Sequence, residues 1–314
     1  MEPGHENNSN IHNTFHILAF SKLSHLSSVL FVLLLFMYLM SSVGNVLITS
    51  LISLTSNLHT PMYFFLRNLS VQDTVYVSSI LPKLMAITVT GDNSISFVGC
   101  ITQMFMFVFC LDAAFFLLTS MAYDRYVAIC KPLHYNTIMN NRLCFLFNMS
   151  CWWGGGANGL MHSLMISKLV FCKSRNINHI FCELKTILAL SCSDTSVIAN
   201  IILIEGLFIG VIPFLLIVVS YMFIISTIFK IHTSSGRMKA FSSCSSHLVI
   251  VVLLYATSLG FYMKKDSEDS QEQDKFLSLL YVAVVPMLNP IVYSLRNKEV
   301  IKAMKTLVNT NKRP

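Results

Sequence analysis

The sequence predicts an all-α membrane protein, in which a seven-transmembrane helix bundle is followed by a short amphipathic cytoplasmic helix. Of the 314 residues, 54% are hydrophobic and 12% are charged, whereas soluble domains carry about 25% charged residues. The mean hydropathy of +0.64 fits a chain dissolved in lipid. A helix needs about 20 apolar residues to cross the hydrocarbon core, and the chain contains seven such runs. Helices are favoured over a membrane barrel because the alternating pattern of a barrel is absent.

The seven apolar runs divide the chain into an amino-terminal tail (1–26), a helix bundle (27–295) and a carboxyl-terminal cytoplasmic helix and tail (296–314). No cleavable signal sequence precedes the first run, so we expect that run to act as the signal anchor. The predicted spans are Ser27–Leu54, Pro61–Met85, Ser96–Ile129, Leu143–Ile166, Val197–Phe229, Phe241–Met263 and Phe276–Leu295.

Basic residues near the ends of the runs predict the orientation of the chain. With the amino terminus outside, 13 of the 22 Lys and Arg residues fall on the cytoplasmic side, and ten acidic residues offset the nine outside. This asymmetry follows the positive-inside rule. The net charge of +7 is therefore a topology signal, with the anionic lipid bilayer as partner and no nucleic-acid binding expected. In this orientation the sequon at Asn7 lies outside, and we predict that it is glycosylated.

Four sequence motifs stand beside apolar runs. They are LHTPMYFFL at Leu58–Leu66, MAYDRYVAIC at Met121–Cys130, KAFSSCSSHL at Lys239–Leu248 and PMLNPIVYSLRNK at Pro286–Lys298. The adjacent acid and base in MAYDRYVAIC, taken alone, would indicate only a helix end at a membrane boundary.

Together, in this order and spacing, the motifs closely resemble the olfactory receptor family of G protein-coupled receptors, and the resemblance covers essentially the whole chain. It implies a plasma-membrane receptor that binds small volatile or apolar molecules and has no cofactor. It also implies a heterotrimeric G protein of the stimulatory olfactory type as partner, with a rise in cyclic AMP as output. The residues implied in G protein coupling and switching are Asp124, Arg125, Tyr126, Tyr221, His247, Asn289, Pro290 and Tyr293.

Polar groups in the first, second and seventh runs predict a buried cluster. Asn45, Asp73 and Asn289 each need hydrogen-bond partners in an apolar surrounding, and each alone would indicate only an interhelical hydrogen bond. The resemblance implies that they form the polar core and the sodium site of the family. Ala114 stands where the family commonly has an acid, which weakens a sodium site at Asp73, and we predict no metal.

Two acids within spans are candidates for ligand contact, because an ionisable group in a membrane helix is expensive to keep. Asp112 points roughly 200° around the helix from Ala114, given about 100° per residue, so it does not replace the missing acid. Either other helices keep Asp112 protonated or it faces a wet cavity. Glu205, in the fifth run, either faces the ligand cavity, which we favour, or bonds to the fourth helix.

The sixth run carries a stripe of hydroxyl and apolar side chains. Tyr255, Ser258, Leu259 and Tyr262 share a face, which is typical of helix packing or of a small pocket with few polar groups. The resemblance implies a pocket between the third, fifth, sixth and seventh helices. The predicted ligand-binding residues are Phe107, Val108, Leu111, Asp112, Glu205, Ile209, Tyr255, Ser258, Leu259, Tyr262, Leu279 and Val282.

Basic residues at the cytoplasmic end of the sixth run exclude an ion pair between this helix and the arginine of the third helix in the resting state. Arg237 and Lys239 stand where many rhodopsin-like receptors have an acid that pairs with the third-helix arginine. The resting state must therefore depend on other contacts. His247 is one candidate, and the alternative is that it serves only as an interhelical donor.

The nine cysteines divide by side of the membrane. Cys100, Cys172, Cys182 and Cys192 face the oxidising side, where four cysteines allow three pairings. The resemblance implies the pairs Cys100–Cys182 and Cys172–Cys192, which would hold the second outer loop over the bundle.

The segment that follows Tyr293 is basic, with apolar residues at helical spacing. Val300, Ile301, Met304, Leu307 and Val308 indicate an amphipathic helix on the inner leaflet.

Other classes of protein fit the sequence less well. A transporter or channel also carries acids within the membrane, but the sequence has no inverted repeat between its halves. No metal-ligand cluster or nucleophile–base pair indicates an enzyme. A chemosensory receptor outside the olfactory epithelium remains an alternative that the sequence does not separate from an odorant receptor.

Overall fold

A computed structural model describes residues 14–172, 174–262, 268–296 and 298–310 of the chain. The predicted glycosylation site Asn7 and the side chain of Tyr262 lie outside the described part.

Seven long helical segments, each coinciding with one predicted apolar run, make up most of the described residues. We label them α1 to α7 in chain order, and α8 is the helix that follows them. Their bounds are α1 Ser27–Leu54, α2 Pro61–Thr90, α3 Phe97–Cys130, α4 Asn141–Ile166, α5 Ser196–Phe229, α6 Ser234–Tyr262, α7 268–296 and α8 Lys298–Thr310.

Helices α2, α6 and α7 extend further than their apolar runs. The run marks only the part of a helix in lipid, whereas the helix continues until a cap ends it. Thus α2 was predicted to end at Met85 but continues to Thr90, and Gly91 ends it in the left-handed conformation with φ +72°. Likewise α6 begins at Ser234, and α7 begins near Glu268.

Five of the helices are long and apolar enough to cross a membrane by length and composition. They are α1, α3, α5, α6 and α7. Helix α2 is more polar, since it carries Arg67, Asp73 and Lys83. Large apolar side chains such as Phe36, Trp153 and Phe223 are exposed on the outer faces of the bundle, as expected where the surrounding solvent is lipid. The chain is therefore an all-α membrane protein.

Glycines bring α4 and α1 close to their neighbours. A Cβ atom at Gly155 would lie 2.6 Å from the carbonyl oxygen of Phe109 on α3. A Cβ at Gly44 would lie 2.8 Å from the ring of Pro290 on α7. Small residues at these positions allow the helix backbones to approach closely.

Two helices contain π-helical segments that the sequence analysis did not predict. In α5 the segment is Gly206–Val211, directly after Glu205, and in α7 it is Leu280–Val284. Such segments often occur at functional sites.

The described part of the amino-terminal tail forms a small sheet with the outer loops. Strand β1 (Thr14–Ile17) pairs antiparallel with β2 (Ser94–Ser96) and parallel with β3 (Asn176–Ile177). Phe15 and Ile17 are buried on one face. The sequence did not predict strand β1, because a four-residue strand is too short to give a clear sequence pattern.

Both implied disulfide pairings are present. Cys100–Cys182 joins α3 to the loop between α4 and α5, with Cα atoms 5.4 Å apart. Cys172–Cys192 closes a ring within the same loop, with Cα atoms 5.9 Å apart. Helix α8 buries Val300 and Ala303 and exposes Lys302 and Lys305, which is the predicted amphipathic arrangement.

Candidate functional site

The Asp124–Arg125 pair lies at the end of α3 opposite the disulfides and contacts two other elements. Asp124 is fully buried and forms an ion pair with Arg125, whose Nε is 2.9 Å from Asp124 Oδ2. The Tyr135 hydroxyl donates to Asp124 Oδ1 at 2.7 Å. Arg125 Nη1 donates to Ser243 Oγ on α6 at 3.0 Å. The partner of Arg125 on α6 is thus the Ser243 hydroxyl. The same end of α6 carries the basic residues Arg237 and Lys239 and offers Arg125 no acid.

Tyr135 lies in the loop between α3 and α4, outside the helices of the bundle. Burial and the neighbouring Asp124 carboxylate raise the pKa of Tyr135 above its usual range. Its hydroxyl is therefore protonated at physiological pH and donates to Asp124.

His247 connects α6 to both α3 and α5. Its Nε2 lies 2.9 Å from the backbone oxygen of Leu118, and because a carbonyl can only accept, Nε2 carries the proton. In the neutral ring Nδ1 is then an acceptor, and the Tyr221 hydroxyl lies 2.8 Å from it. Both interpretations of His247 remain open, since an interhelical donor at this place also holds α6 in position.

The remaining predicted switch residues lie near these contacts. The ring of Tyr126 lies against that of Phe223 on α5, with the centroids 5.8 Å apart and the planes inclined at 58°. Tyr293 is fully buried on α7, and its hydroxyl has no partner among the described residues.

The predicted polar core is partly assembled around a small cavity. Asn289 Nδ2 donates to Asp73 Oδ2 at 2.5 Å. Asn45 does not reach them but donates to the backbone oxygens of Ser41 and Pro286, at 2.9 and 3.0 Å. The cavity beside Asp73 has a volume of about 20 Å³, which is room for about one water molecule.

The lining of this cavity does not reproduce the acid pair that the resemblance implies for sodium. Asp73 is the one carboxylate in the lining, and Ala114 lines the cavity where the family commonly has an acid. Three further polar residues line the cavity and were not predicted from the sequence: Gln72, Tyr76 and Tyr281. No group of three or more metal-ligating side chains occurs in the described part of the chain.

The two predicted acids of the ligand site both bond to α4. Asn158 Nδ2 donates to Asp112 Oδ2 at 2.8 Å. His162 Nε2 lies 2.6 Å from Glu205 Oε2. For Glu205 this is the geometry of the alternative that we had not favoured, in which the carboxyl group bonds to the fourth helix. The other oxygen, Oε1, is buried and has no partner among the described residues.

Asn158 and His162 are functional candidates that the sequence analysis missed. They are polar residues four positions apart in an apolar span, so they lie on one helix face. An ionisable side chain within a membrane span indicates a functional site, and this criterion marks His162 as well as Glu205.

The predicted ligand-binding residues lie where two hydrophobic clusters meet. Phe107, Val108 and Val282 belong to the cluster on the side of the Cys100–Cys182 disulfide, called the outer cluster, and Tyr255 belongs to the cluster on the side of Asp124, called the inner cluster. Leu111 packs against both clusters.

The other members of the predicted set are more exposed or lie at the edges of these clusters. Leu279 packs against the outer cluster and Ile209 against the inner one. Ser258 is half-buried. Leu259 has 48% of its surface exposed, unlike the buried Tyr255, so the predicted stripe on α6 is not uniformly enclosed.

Aromatic and polar contacts hold the loop between α4 and α5 over the predicted ligand site. Phe181 packs on Phe107, with ring centroids 4.7 Å apart. Gln103 of α3 accepts from the backbone N–H of Cys182 at 3.0 Å. His179 Nε2 lies 3.0 Å from Ser278 Oγ of α7. The loop therefore contacts both α3 and α7 at the outer end of the bundle.

The sequence is similar to proteins of one family. A family model described as olfactory receptor matches residues 34–311. Olfactory receptor 13F1 of Homo sapiens is 44% identical over 297 residues, which are 95% of this chain and 93% of the relative. Olfactory receptor 1F1 of Homo sapiens is 44% identical over 94% of both chains. Olfactory receptor 5AP2 of Mus musculus is 43% identical over 94% of this chain and 93% of its own length.

Proposed function

Because the chain belongs to the olfactory receptor family, and is therefore an odorant-sensing G protein-coupled receptor and not an enzyme, we propose that it crosses the plasma membrane seven times. Residues 1–26 are then an extracellular tail, 27–295 the receptor domain and 296–314 a cytoplasmic helix and tail. Helix α8 lies on the inner leaflet in this arrangement. The basic residues at the cytoplasmic ends of the helices support the orientation.

The proposed ligand is a small volatile or apolar molecule that binds among the predicted residues of α3, α5, α6 and α7. The apolar surroundings of Phe107, Val108 and Val282 support this, since such walls bind by buried area, at about 25 cal/mol per Å². The unpartnered oxygen of Glu205 supports a narrower proposal. It is a free acceptor, so the preferred ligand carries a hydrogen-bond donor or an amine.

The proposed output is activation of a heterotrimeric G protein of the stimulatory olfactory type, which raises cyclic AMP. The observation that carries this mechanism is the set of polar contacts that connect α6 to its neighbours. Arg125 contacts Ser243, and His247 contacts both Tyr221 and the backbone of Leu118. An agonist that binds better to the arrangement in which these contacts are broken shifts the population towards it. Movement of α6 then frees Arg125 and opens a cytoplasmic cleft for the G protein.

Replacing Arg125 with Ala tests this mechanism. We expect agonist-stimulated cyclic AMP to be abolished while the receptor still reaches the cell surface, as measured by a cyclic AMP reporter and by surface staining. Arg142→Ala is the matched control, because Arg142 is an exposed basic residue at the same end of the bundle. A full cyclic AMP response in Arg125→Ala would contradict the assignment.

A further inference from the structure

A second and larger cavity lies at the opposite end of the bundle from the predicted ligand site. Its volume is about 330 Å³. The end of α1, the following loop and the first turns of α2 and α4 form its walls. The lining residues that matter below are His59, Thr60, Phe64, Arg67, Asn141 and Phe145.

Arg67 is the charged residue of this lining. It is half-buried, and its guanidinium lies over the ring of Phe64, 5.6 Å from the centroid. No hydrogen bond or ion pair to another described residue reaches it. Arg67 stands six residues after the start of α2, or roughly 9 Å along the helix at about 1.5 Å per residue. A permanently charged guanidinium at this distance from the end of a membrane helix needs an anionic partner or water.

The backbone around Arg67 adds to the positive potential. Helix α2 begins at Pro61, and its N-cap residue Thr60 makes no side-chain capping bond. The amino-terminal end of a helix carries the positive end of its dipole, which favours a negative charge nearby. His59 and the amide of Asn141 supply further donors in the lining.

Apart from Thr60, the rest of the wall is apolar, and it continues onto the outer surface of the bundle. Phe145 is 58% exposed, and Leu146 and Trp153 are exposed along the same helix. The cavity therefore combines a cationic interior with apolar side chains at its edge. An anion with an attached acyl chain matches both features.

We propose that this cavity binds the phosphate-bearing headgroup of an anionic phospholipid of the inner leaflet. Arg67 contacts the phosphate, and an acyl chain lies along Phe145. The inference rests on the proposed function only for the orientation that places this end of the bundle in the cytoplasmic leaflet. Binding of the lipid requires neither an odorant nor a G protein.

The test uses the full-length receptor in phosphatidylcholine nanodiscs that contain a small, fixed fraction of phosphatidylserine with a photoreactive acyl chain. After illumination, mass spectrometry locates the labelled peptides. We expect labelling near Phe145 and at the end of α1 in the wild type. A hydrogen bond to a charged group contributes about 1.5–3 kcal/mol, so Arg67→Gln, which removes the charged partner of the phosphate from the lining, should reduce this labelling about tenfold or more. Arg67→Lys should retain most of it.

Arg142→Gln is the matched control, because Arg142 is exposed next to Asn141 but is not part of the lining. It should leave the labelling unchanged. The proposal is overturned if photoreactive phosphatidylcholine labels the same peptides equally, if Arg67→Gln labels like the wild type, or if inorganic phosphate displaces the lipid. The wild-type map and Arg67→Lys decide the question even where Arg67→Gln fails to fold. Odorant-stimulated cyclic AMP is measured in parallel, so a normal response without labelling overturns this inference alone.

Discussion

At the scale of single residues, the acids within the helices show what a sequence can and cannot indicate. The cost of an ionisable group in a membrane span singled out Glu205 and Asp112. Their partners on α4, His162 and Asn158, depend on how three helices pack. The sequence marks His162 as a polar group in a span, but it does not show which helix faces pack together, so it left the choice between the two directions of Glu205 undecided.

Replacing the two acids tests whether they contact the ligand. If the free oxygen of Glu205 accepts a hydrogen bond from the ligand, Glu205→Gln should weaken responses to amines more than responses to matched hydrocarbons. A lost charge-assisted hydrogen bond costs about 1.5–3 kcal/mol, or roughly 10-fold to 100-fold in potency. The measurement is a cyclic AMP dose–response with paired amines, alcohols and hydrocarbons. Asp112→Asn is tested in the same way, and unchanged selectivity in both variants would mean that the acids are structural.

His179, in the loop between α4 and α5, makes the stability of the folded protein depend on pH. Its ring is buried, and burial lowers its pKa from 6.5 to about 3, because the charged form loses its hydration. A lowered pKa means that the folded state favours the neutral ring. The stabilisation is therefore present above pH 6.5 and is lost as the pH falls towards 3, with about 2 kcal/mol lost by pH 5.

We therefore expect the purified receptor to melt at a lower temperature at pH 5 than at pH 7, and His179→Gln to reduce this difference. Thermal unfolding at the two pH values measures it. His25→Gln is the control, since His25 is exposed on the same side of the bundle. A pH dependence that survives unchanged in His179→Gln would show that another group is responsible.

At the scale of elements, hydrophobic runs located every long helix, because burial in lipid requires an apolar run of sufficient length. They did not predict the π-helical segments in α5 and α7, which depend on local packing. They also did not predict strand β1, whose pairing partners lie about 80 and 160 residues away along the chain. The disulfide pairs were implied by the family resemblance and not by spacing alone.

The contact between α3 and α4 allows a comparison of neighbouring glycines. A Cβ at Gly155 would lie 2.6 Å from the Phe109 carbonyl oxygen, a backbone atom that cannot move aside without shifting α3. A Cβ at Gly156 would meet only the Phe109 ring, at an ordinary 3.6 Å. Overpacking of this kind costs about 1–3 kcal/mol. Gly155→Ala should therefore lower the melting temperature and surface expression, whereas Gly156→Ala should change them little. Equal effects in the two variants would contradict the close approach of the helices.

At the scale of the whole molecule, five helices meet a strict test of length and apolar composition. Helix α2 is long enough to span, but it carries the charged residues Arg67, Asp73 and Lys83. Asp73 bonds to Asn289 inside the bundle, and Arg67 lines the cavity near the start of α2. The apolar run of α2 is evident in the sequence, but its polar and charged residues lower the mean hydropathy of the helix, which takes no account of their surroundings. The proposal of seven spans therefore depends on packing as well as on composition.

The topology of the chain tests the central claim most directly. A different epitope tag is placed at each terminus, and antibody staining is compared in intact and permeabilised cells. Seven crossings predict that the amino-terminal tag is stained in intact cells and the carboxyl-terminal tag only after permeabilisation. Two tags on the same side of the plasma membrane would mean an even number of crossings, and would contradict the proposed route from an outer ligand site to an inner G protein surface.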